Sequence, residues 1–385
     1  MTETNNHYDY IIVGAGAAGL MLATAMAQDS FFDHSKILVL DKDPKNVNDR
    51  TWCFWEKGDG QFDHIVSYEW SQINFTGKQF SKDYNINPYT YKMVKGLDFY
   101  KDSLTLLSSK ENIHFKIEEV VQIIEKEDGA VINTLNCQYE SKQVFNSIFS
   151  YEQAKKQSKY PVLEQHFLGW HIKTDQSVFN PKRATYMDFS IPQKGNTRFM
   201  YVLPFSEREA LIEYTLFSQN KLPEKEYSDA LEEYLKENFG LKSYTIVEKE
   251  YGSIPMTCYD FSKNNSRHIF NIGTAGGWAK PSTGYAFMST ANMIPKLVHH
   301  LKANIPLSNL NRKNRFWYYD LLLLDVLAQK NHLGHYLFQS IFEKRDPQLL
   351  FKFLSEKTSF PEEIYLIFSC PKYQFIRTLI KRIAY

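Results

Sequence analysis

One feature between Tyr8 and Asp41 restricts the fold more than any other. Tyr8-Asp-Tyr-Ile-Ile-Val13 is a short apolar run that ends at glycine, the pattern of a buried parallel strand. Gly14-Ala-Gly-Ala-Ala-Gly19 follows and leads into good helix formers from Leu20 to Gln28. Lys36-Ile-Leu-Val-Leu-Asp41 is a second apolar strand. A GxGxxG motif that follows a strand and opens a helix inside a βαβ unit has a physical reading. Gly14 allows the tight turn, Gly16 lets the backbone approach a pyrophosphate, and Gly19 lets helix and strand pack closely. The helix then presents its positive N-terminal end to the phosphates. Asp41 ends the second strand and is placed to accept hydrogen bonds from ribose hydroxyls. The expected class is therefore α/β, with a Rossmann-like dinucleotide-binding unit.

The remaining chain suits a larger body built on that unit. With 385 residues it has room for one large domain or two closely joined ones. We expect 1–150 to form the first part of the nucleotide-binding domain. Strands at 183–189, 198–203 and 210–217 and a helix at 227–239 that stops at Gly240 mark 151–262 as a mainly antiparallel substrate region. The strand Arg267–Ile272 enters a second glycine-rich turn, so 263–305 returns to the nucleotide domain, and 306–385 reads as helical. The net charge is +1, which gives no global argument for nucleic acid. Four scattered cysteines without CxxC spacing suggest neither a metal site nor a disulfide framework, and a reducing, cytoplasmic setting is the simple reading. No signal-peptide pattern opens the chain, and no apolar run is long enough to span a bilayer. The chain is rich in aromatics, with 28 Phe, 25 Tyr and 6 Trp, which can line a tunnel or simply fill cores.

FAD is expected rather than NAD. The βαβ unit is N-terminal, and the second turn, with Gly273, Gly276, Gly277, Pro281, Thr283 and Gly284, lies far downstream, where flavoprotein folds of the glutathione-reductase and flavin-hydroxylase type contact the flavin. Several segments then resemble the lycopene cyclase family, in family order. They are Arg50-Thr-Trp-Cys-Phe-Trp55, Gln165-His-Phe-Leu-Gly-Trp170, Met187-Asp-Phe189, Tyr201-Val-Leu-Pro204, Ala210-Leu-Ile-Glu-Tyr-Thr215, Tyr251-Gly-Ser-Ile-Pro-Met256, Gly273-Thr-Ala-Gly-Gly277 and Pro281-Ser-Thr-Gly-Tyr285. The resemblance covers about three quarters of the chain. It implies a lycopene β-cyclase, an isomerising intramolecular lyase that converts the ψ-ends of lycopene or a related linear carotenoid to β-rings. It further implies that FAD acts in its reduced form, with NADPH or NADH as reductant and no net redox change.

Such chemistry needs a strong acid, a dry pocket and electron-rich walls. Glu213 matches the acidic position of the family motif, and period-two alternation puts it on one strand face with Leu211, Thr215 and Phe217. A carboxyl on an apolar face should hold its proton near neutrality. Many relatives carry a second acid directly after this glutamate; here Tyr214 stands there, and adjacent strand residues face opposite ways. Trp52, Phe54 and Trp55 are expected, with Phe217, to line the substrate pocket and support a cation, core packing being the competing reading. Arg50 is placed at the cofactor. Lys280 occupies a position where relatives have histidine, and reads either as a cation beside reduced flavin or as a solvent-facing lysine. Gly273-Thr274 lacks the aspartate that flavin hydroxylases use for the ribityl chain, which weakens an oxygenase reading. A reductase or hydroxylase, and a non-catalytic carotenoid-binding protein, remain the alternative functions.

An insoluble polyene also implies contact with lipid. Residues 374–385 put Phe375, Ile376, Leu379, Ile380 and Ile383 on one helical face with Arg377, Lys381 and Arg382 elsewhere, the pattern of a basic amphipathic helix. Peripheral association with the inner face of the cell membrane is therefore expected.

Overall fold

The computed structural model describes residues 6–310 and 313–384. In chain order its regular elements begin with β1 (His7–Val13), α1 (Ala17–Ala27), β2 (Ile37–Asp41), β3 (Thr51–Lys57), β4 (Val66–Trp70), β5 (Gln72–Thr76), β6 (Ser81–Asn85), β7 (Tyr89–Lys95), α2 (Gly96–Ser108) and β8 (Ile113–Ile117). Next come β9 (Val120–Lys126), β10 (Gly129–Thr134), β11 (Gln138–Asn146), α3 (Glu152–Lys155), β12 (Val162–Lys173), β13 (Arg183–Asp188), β14 (Thr197–Ser206), β15 (Glu209–Ser218), α4 (Glu224–Phe239), β16 (Thr245–Thr257) and β17 (Ile269–Asn271). The last are α5 (Phe287–Lys302), α6 (Arg315–Lys330), α7 (Gly334–Lys344), α8 (Pro347–Leu354), α9 (Phe360–Ile367) and α10 (Lys372–Ala384).

The N-terminal βαβ unit forms as its residues dictate. Strand β1 lies between β2 and β11, parallel to both, and β17 returns to pair parallel with β11. Ile11, Ile12 and Val13 are fully buried, as a strand covered on both faces must be. Full burial of one such side chain contributes roughly 1.5–3 kcal/mol. Helices α1 and α5 pack over one face of this sheet through Leu20, Met21, Leu297 and Ile294.

A second, larger sheet runs in the order β16-β12-β15-β14-β13-β5-β6. It is antiparallel apart from the β13–β5 pair. The expected boundary at residue 150 therefore needs correction. Strands β5 and β6 leave the N-terminal stretch and join this second sheet, so 1–150 supplies both sheets. The reason is the parallel pairing of Gln72–Thr76 with Arg183–Asp188, a long-range contact that local patterning does not reveal. One face of the sheet, with Ile212, Tyr214 and Leu216, is covered by α4. The opposite face, with Leu211 and Phe217, meets the C-terminal helices through Leu324, Phe338 and Phe351. Helix α4 ends where glycine permits a left-handed cap, at Gly240 with φ 66°. A third sheet, β3-β7-β4, bridges the two larger bodies.

Candidate active site

The first glycine turn is built as the motif requires. Gly14 has φ 94°, and a Cβ there would lie 2.3 Å from the Ser147 hydroxyl. A Cβ on Gly19 would lie 1.9 Å from the carbonyl oxygen of Gly14, so helix and strand approach too closely for any side chain. Gly16 is different: a Cβ there meets no protein atom within 4 Å. Packing does not require glycine at that position. The open space in front of it, at the N-terminus of α1, is what a pyrophosphate needs. Asp41 accepts from the Ala15 amide at 2.6 Å and pairs with Lys45 at 3.3 Å, which fixes its carboxylate at the rim of the turn.

The second glycine turn meets the first. Gly273, at φ 59°, has no room for a Cβ beside Ala18 of α1, where the separation would be 2.6 Å. Gly276 is closed off by the Asn271 carbonyl, and Gly277 and Gly284 both have positive φ. Gly284 packs against Gln165 of β12 and Ile254 of β16, so the turn from Pro281 joins the nucleotide domain to the large sheet. Around it, the Thr283 hydroxyl, the Gln165 side-chain oxygen and the Trp278 indole N–H are buried without hydrogen-bond partners. Buried polar atoms of this kind call for a partner. Polar orphans beside an open glycine turn fit a dinucleotide with a polar ring system.

Glu213 lies on β15 directly opposite Gly169 of β12 on one side and Tyr201 of β14 on the other. It shares its sheet face with Leu211 and Phe217, as alternation predicts. Tyr214 faces the other way and bonds the Arg198 guanidinium at 2.9 Å, so it takes no part in the Glu213 environment. Burial pushes the Glu213 carboxyl up to about 8, against a hydrogen bond donated by the Thr215 hydroxyl and with a further push from the charge of Glu250. Glu213, Cys53, Tyr201 and Tyr285 lie deep in the molecule yet keep some accessible surface, which makes them the walls of an interior cleft.

Aromatic rings surround this cleft. Tyr285, from the second glycine turn, donates to the Tyr186 hydroxyl at 3.3 Å, and Tyr186 packs edge-on against Tyr201 and Tyr91. Trp55 sits edge-on to Tyr285 at 4.7 Å and stacks on Phe351 at 4.8 Å. Its indole N–H is anchored by the Phe351 carbonyl and Ser355. Burial raises all four tyrosines, so they stay neutral phenols.

Trp55 meets Tyr285 on one face of β3 and Phe217 shares the Glu213 face of β15, where it packs on Phe199 and Phe338, whereas Trp52 and Phe54 lie apart. The last two occupy the opposite face of β3, where Trp52 stacks on Phe287 at 5.0 Å and Phe54 on Phe287 at 5.5 Å. They are core residues of the nucleotide domain, a correction that follows from the same period-two rule that sets the face of Glu213. Arg50 is exposed, bonded to the Asp49 carbonyl, at the start of β3. Lys280 is neither solvent-facing nor an isolated cation. It is buried and paired with Asp320 of α6 at 3.0 Å and Glu356 at 3.1 Å. The residues that pattern reading missed are Tyr91, Tyr186, Tyr201, Tyr285 and Glu250. Tyr285 and Tyr201 lay within segments already singled out, but nothing in their spacing aimed them at Glu213.

Fold and site together define a dinucleotide-binding α/β protein whose second sheet carries a buried carboxyl within an aromatic cleft. Among solved structures it is similar to a geranylgeranyl bacteriochlorophyll reductase-like protein from Thermoplasma acidophilum, with a TM-score of 0.60, 14% identity, and 97% of this chain and 98% of that one covered. It is also similar to the flavin-dependent brominase Bmp2, with a TM-score of 0.57, 13% identity and 94% of each chain covered. A single-residue mutant of halogenase PltM in complex with FAD gives a TM-score of 0.55 at 13% identity, over 90% of this chain and 79% of that one. These likenesses establish the flavoprotein-type fold. At the level of sequence, residues 9–380 match the lycopene cyclase protein family, and the chain belongs to it. The lycopene beta-cyclase of Pantoea ananas is 24% identical over 294 residues, covering 73% of this chain and 71% of that protein. The lycopene beta-cyclase of Paracoccus sp. is 29% identical over 136 residues, 34% of each chain.

Proposed function

We propose that the protein is a lycopene β-cyclase that turns the ψ-ends of lycopene, or a related linear carotenoid, into β-rings with bound FAD in its reduced form. The observation that carries this reading is the buried Glu213 carboxyl set beside Tyr201 in the tyrosine-lined cleft, where burial favours its protonated form. The two glycine turns would hold FAD, with Gly14, Gly16, Gly19 and Asp41 at its adenosine and pyrophosphate end. Gly273, Gly276, Gly277, Pro281, Thr283 and Gly284 would meet the ring end, and Arg50 would lie at the rim. NADPH or NADH would reduce the cofactor. When bound and reduced, the flavin would supply an electron-rich ring system to the reaction.

Within this reading Glu213 delivers its proton to the terminal alkene of the polyene. The internal double bond then attacks the resulting cation, and the six-membered ring closes with a tertiary cation. Loss of a proton from the neighbouring carbon sets the ring double bond. Tyr91, Tyr186, Tyr201, Tyr285 and Trp55 present electron-rich faces that stabilise positive charge while excluding water that would quench it. Thr215 holds the Glu213 carboxyl in place.

Access from lipid is supported by the C-terminal helices. Among the described residues no helix is long and apolar enough to cross a membrane. Helix α10 is nevertheless apolar outside: Ile376 is 55%, Ile380 61% and Ile383 78% exposed. Phe360, Tyr365 and Phe368 of the preceding segment are exposed as well, with Arg345 over Tyr365 and Lys372 over Phe368. The expected helical face needs one adjustment. Phe375 turns inward to the core, and Arg382 reaches inward to a bidentate pair with Asp325 at 2.6 Å, so the helix is clamped on one side and apolar on the other. Such a surface suits peripheral association with anionic lipid on the cytoplasmic face of the membrane.

The test is expression in a lycopene-accumulating bacterium with chromatography of the pigments, beside the purified protein with lycopene-loaded vesicles. Ring formation with catalytic rather than stoichiometric NAD(P)H is expected, and Glu213→Gln should abolish it while FAD stays bound. Unaltered lycopene in the presence of FAD-loaded protein would refute the assignment, and NAD(P)H consumed in step with product would favour a redox enzyme.

A further inference from the structure

The cyclisation proposed above takes up one proton and releases another, yet Glu213 alone accounts only for the first. The strand register supplies a second group. Gly169 of β12 is paired with Glu213 of β15 on one side and with Glu250 of β16 on the other. Residues directly opposite across a sheet share a face, so Tyr201, Glu213, Gly169 and Glu250 form one row. Glu213 and Glu250 sit two strand spacings apart, roughly 10 Å between backbones. Only the bare backbone of Gly169 lies between them, and a Cβ there would already approach Glu213 Cγ at 3.7 Å and Leu211 Cδ1 at 3.2 Å. The side chains can therefore lean towards each other over the glycine.

Glu250 is not a surface carboxylate. Its Oε1 accepts the Thr51 amide at 2.9 Å, which ties it to the start of β3. Burial raises it to about 7, opposed by the Thr51 hydrogen bonds and the charge of Arg50 and assisted by Glu248. Burial holds both carboxyls above their ordinary range, so each can hold or release a proton near neutrality. On its outer side Glu250 faces a small cavity shared with Asn48, Thr51, Lys95, His171 and Glu248. His171 bonds Glu209 at 2.6 Å, and Glu209 borders an open polar cleft of about 430 Å³ with Lys173 and Arg208. His171 and Glu209 thus stand between this polar cleft and the small cavity at Glu250, which Met93, Phe205 and Leu211 also line, while Tyr201 flanks Glu213 on its other side. The groups that face Glu250 and bear on its charge are Arg50, Cys53, Lys95, His171, Glu213 and Glu248.

We propose that Glu250 is the proton partner of Glu213, accepting the proton that leaves the cyclised cation and returning it to Glu213 across Gly169. This rests on the cyclase reading. The cycle begins with Glu213 as the acid and Glu250 as the carboxylate. The C–H bond formed on the polyene takes the Glu213 proton, and the C–H bond broken beside the tertiary cation gives its proton to Glu250. Transfer from Glu250 to Glu213 restores the start, with no net proton, oxidant or reductant consumed.

Glu250→Gln keeps the acceptor for the Thr51 amide and removes only the titrating proton, so it separates relay from structure. In the FAD-loaded enzyme with lycopene vesicles, we expect E250Q to lower the rate at pH 7 by at least about 100-fold. We also expect it to abolish the acidic limb of a bell-shaped pH profile, with partial recovery in Glu250→Asp. Independently of turnover, infrared titration of the FAD-loaded protein reads the protonated-carboxyl band. Removing the neighbouring charge should move the Glu213 midpoint downward in E250Q. A wild-type rate and pH profile in E250Q beside an active wild type would overturn the relay. An unmoved Glu213 midpoint would overturn it even if the wild type proved inactive on lycopene, an outcome that would itself refute only the cyclase reading.

Discussion

Replacing Glu213 by glutamine should make the folded protein more stable, and the size of the gain follows from its surroundings. In the unfolded chain the carboxyl ionises at its ordinary value of 4.5, whereas in the folded protein burial holds it at about 8. Between those two values the unfolded chain has released a proton that the folded protein keeps. Stability is therefore fully present below pH 4.5 and falls as pH rises, by about 1.4 kcal/mol per pH unit, until it levels off above pH 8. At pH 7 the accumulated loss is about 3 kcal/mol. Glutamine is nearly isosteric, still accepts the Thr215 hydroxyl and carries no such linkage. Urea denaturation of FAD-loaded wild type and E213Q, followed at several values from about pH 5 to pH 8.5, isolates the effect. The expected result is similar stability near pH 5 and a variant more stable by about 3 kcal/mol at pH 7, accompanied by loss of cyclisation. This is the trade expected where a site holds a group its fold would rather not bury. Superimposable pH dependences would mean that the carboxyl is hydrated, and the acid assignment would fall with them.

Two further outcomes test the remaining parts of the site. Gly16→Ala should weaken FAD binding and lower the flavin absorbance band while circular dichroism and thermal midpoint of the cofactor-free protein stay near wild type, because the added Cβ has no protein atom within 4 Å; a marked loss of apo stability would show that the glycine serves packing. Combined Ile376→Ser, Ile380→Ser and Ile383→Ser should weaken sedimentation with anionic vesicles at least about tenfold, since about 1.4 kcal/mol is a small part of what three buried isoleucines contribute. The same variant should leave thermal stability unchanged, because all three side chains are exposed.

Much of this molecule is legible along the chain. The strand–turn–helix around Gly14–Gly19 is largely local, since Gly14 supplies the positive φ of the turn and Gly19 answers to the Gly14 carbonyl, although Ser147 also closes on Gly14 from a distant strand end. Helix α4 and its stop at Gly240 are local for the same reason. Alternation along β15 was enough to put Glu213 on one face with Leu211 and Phe217 and to send Tyr214 to the other.

What surrounds Glu213 is not local. A plain hairpin count from the turn between Ser206 and Glu209 would set Val202 opposite Glu213. An irregularity between Pro204 and Ser206 shifts the register by one residue and brings Tyr201 there instead. Because a strand has a period of two, that single residue also exchanges the faces of everything before it on β14. Glu250 becomes a neighbour only because β12 lies between β15 and β16, and Tyr285 and Trp55 arrive from a turn and a strand remote in sequence. Chain periodicity thus determined which elements form and which side of each is apolar. Strand order, a one-residue slip and the docking of the nucleotide domain decided which two carboxyls share a row and which rings enclose them, because those depend on packing between segments that do not sense one another until the chain has folded.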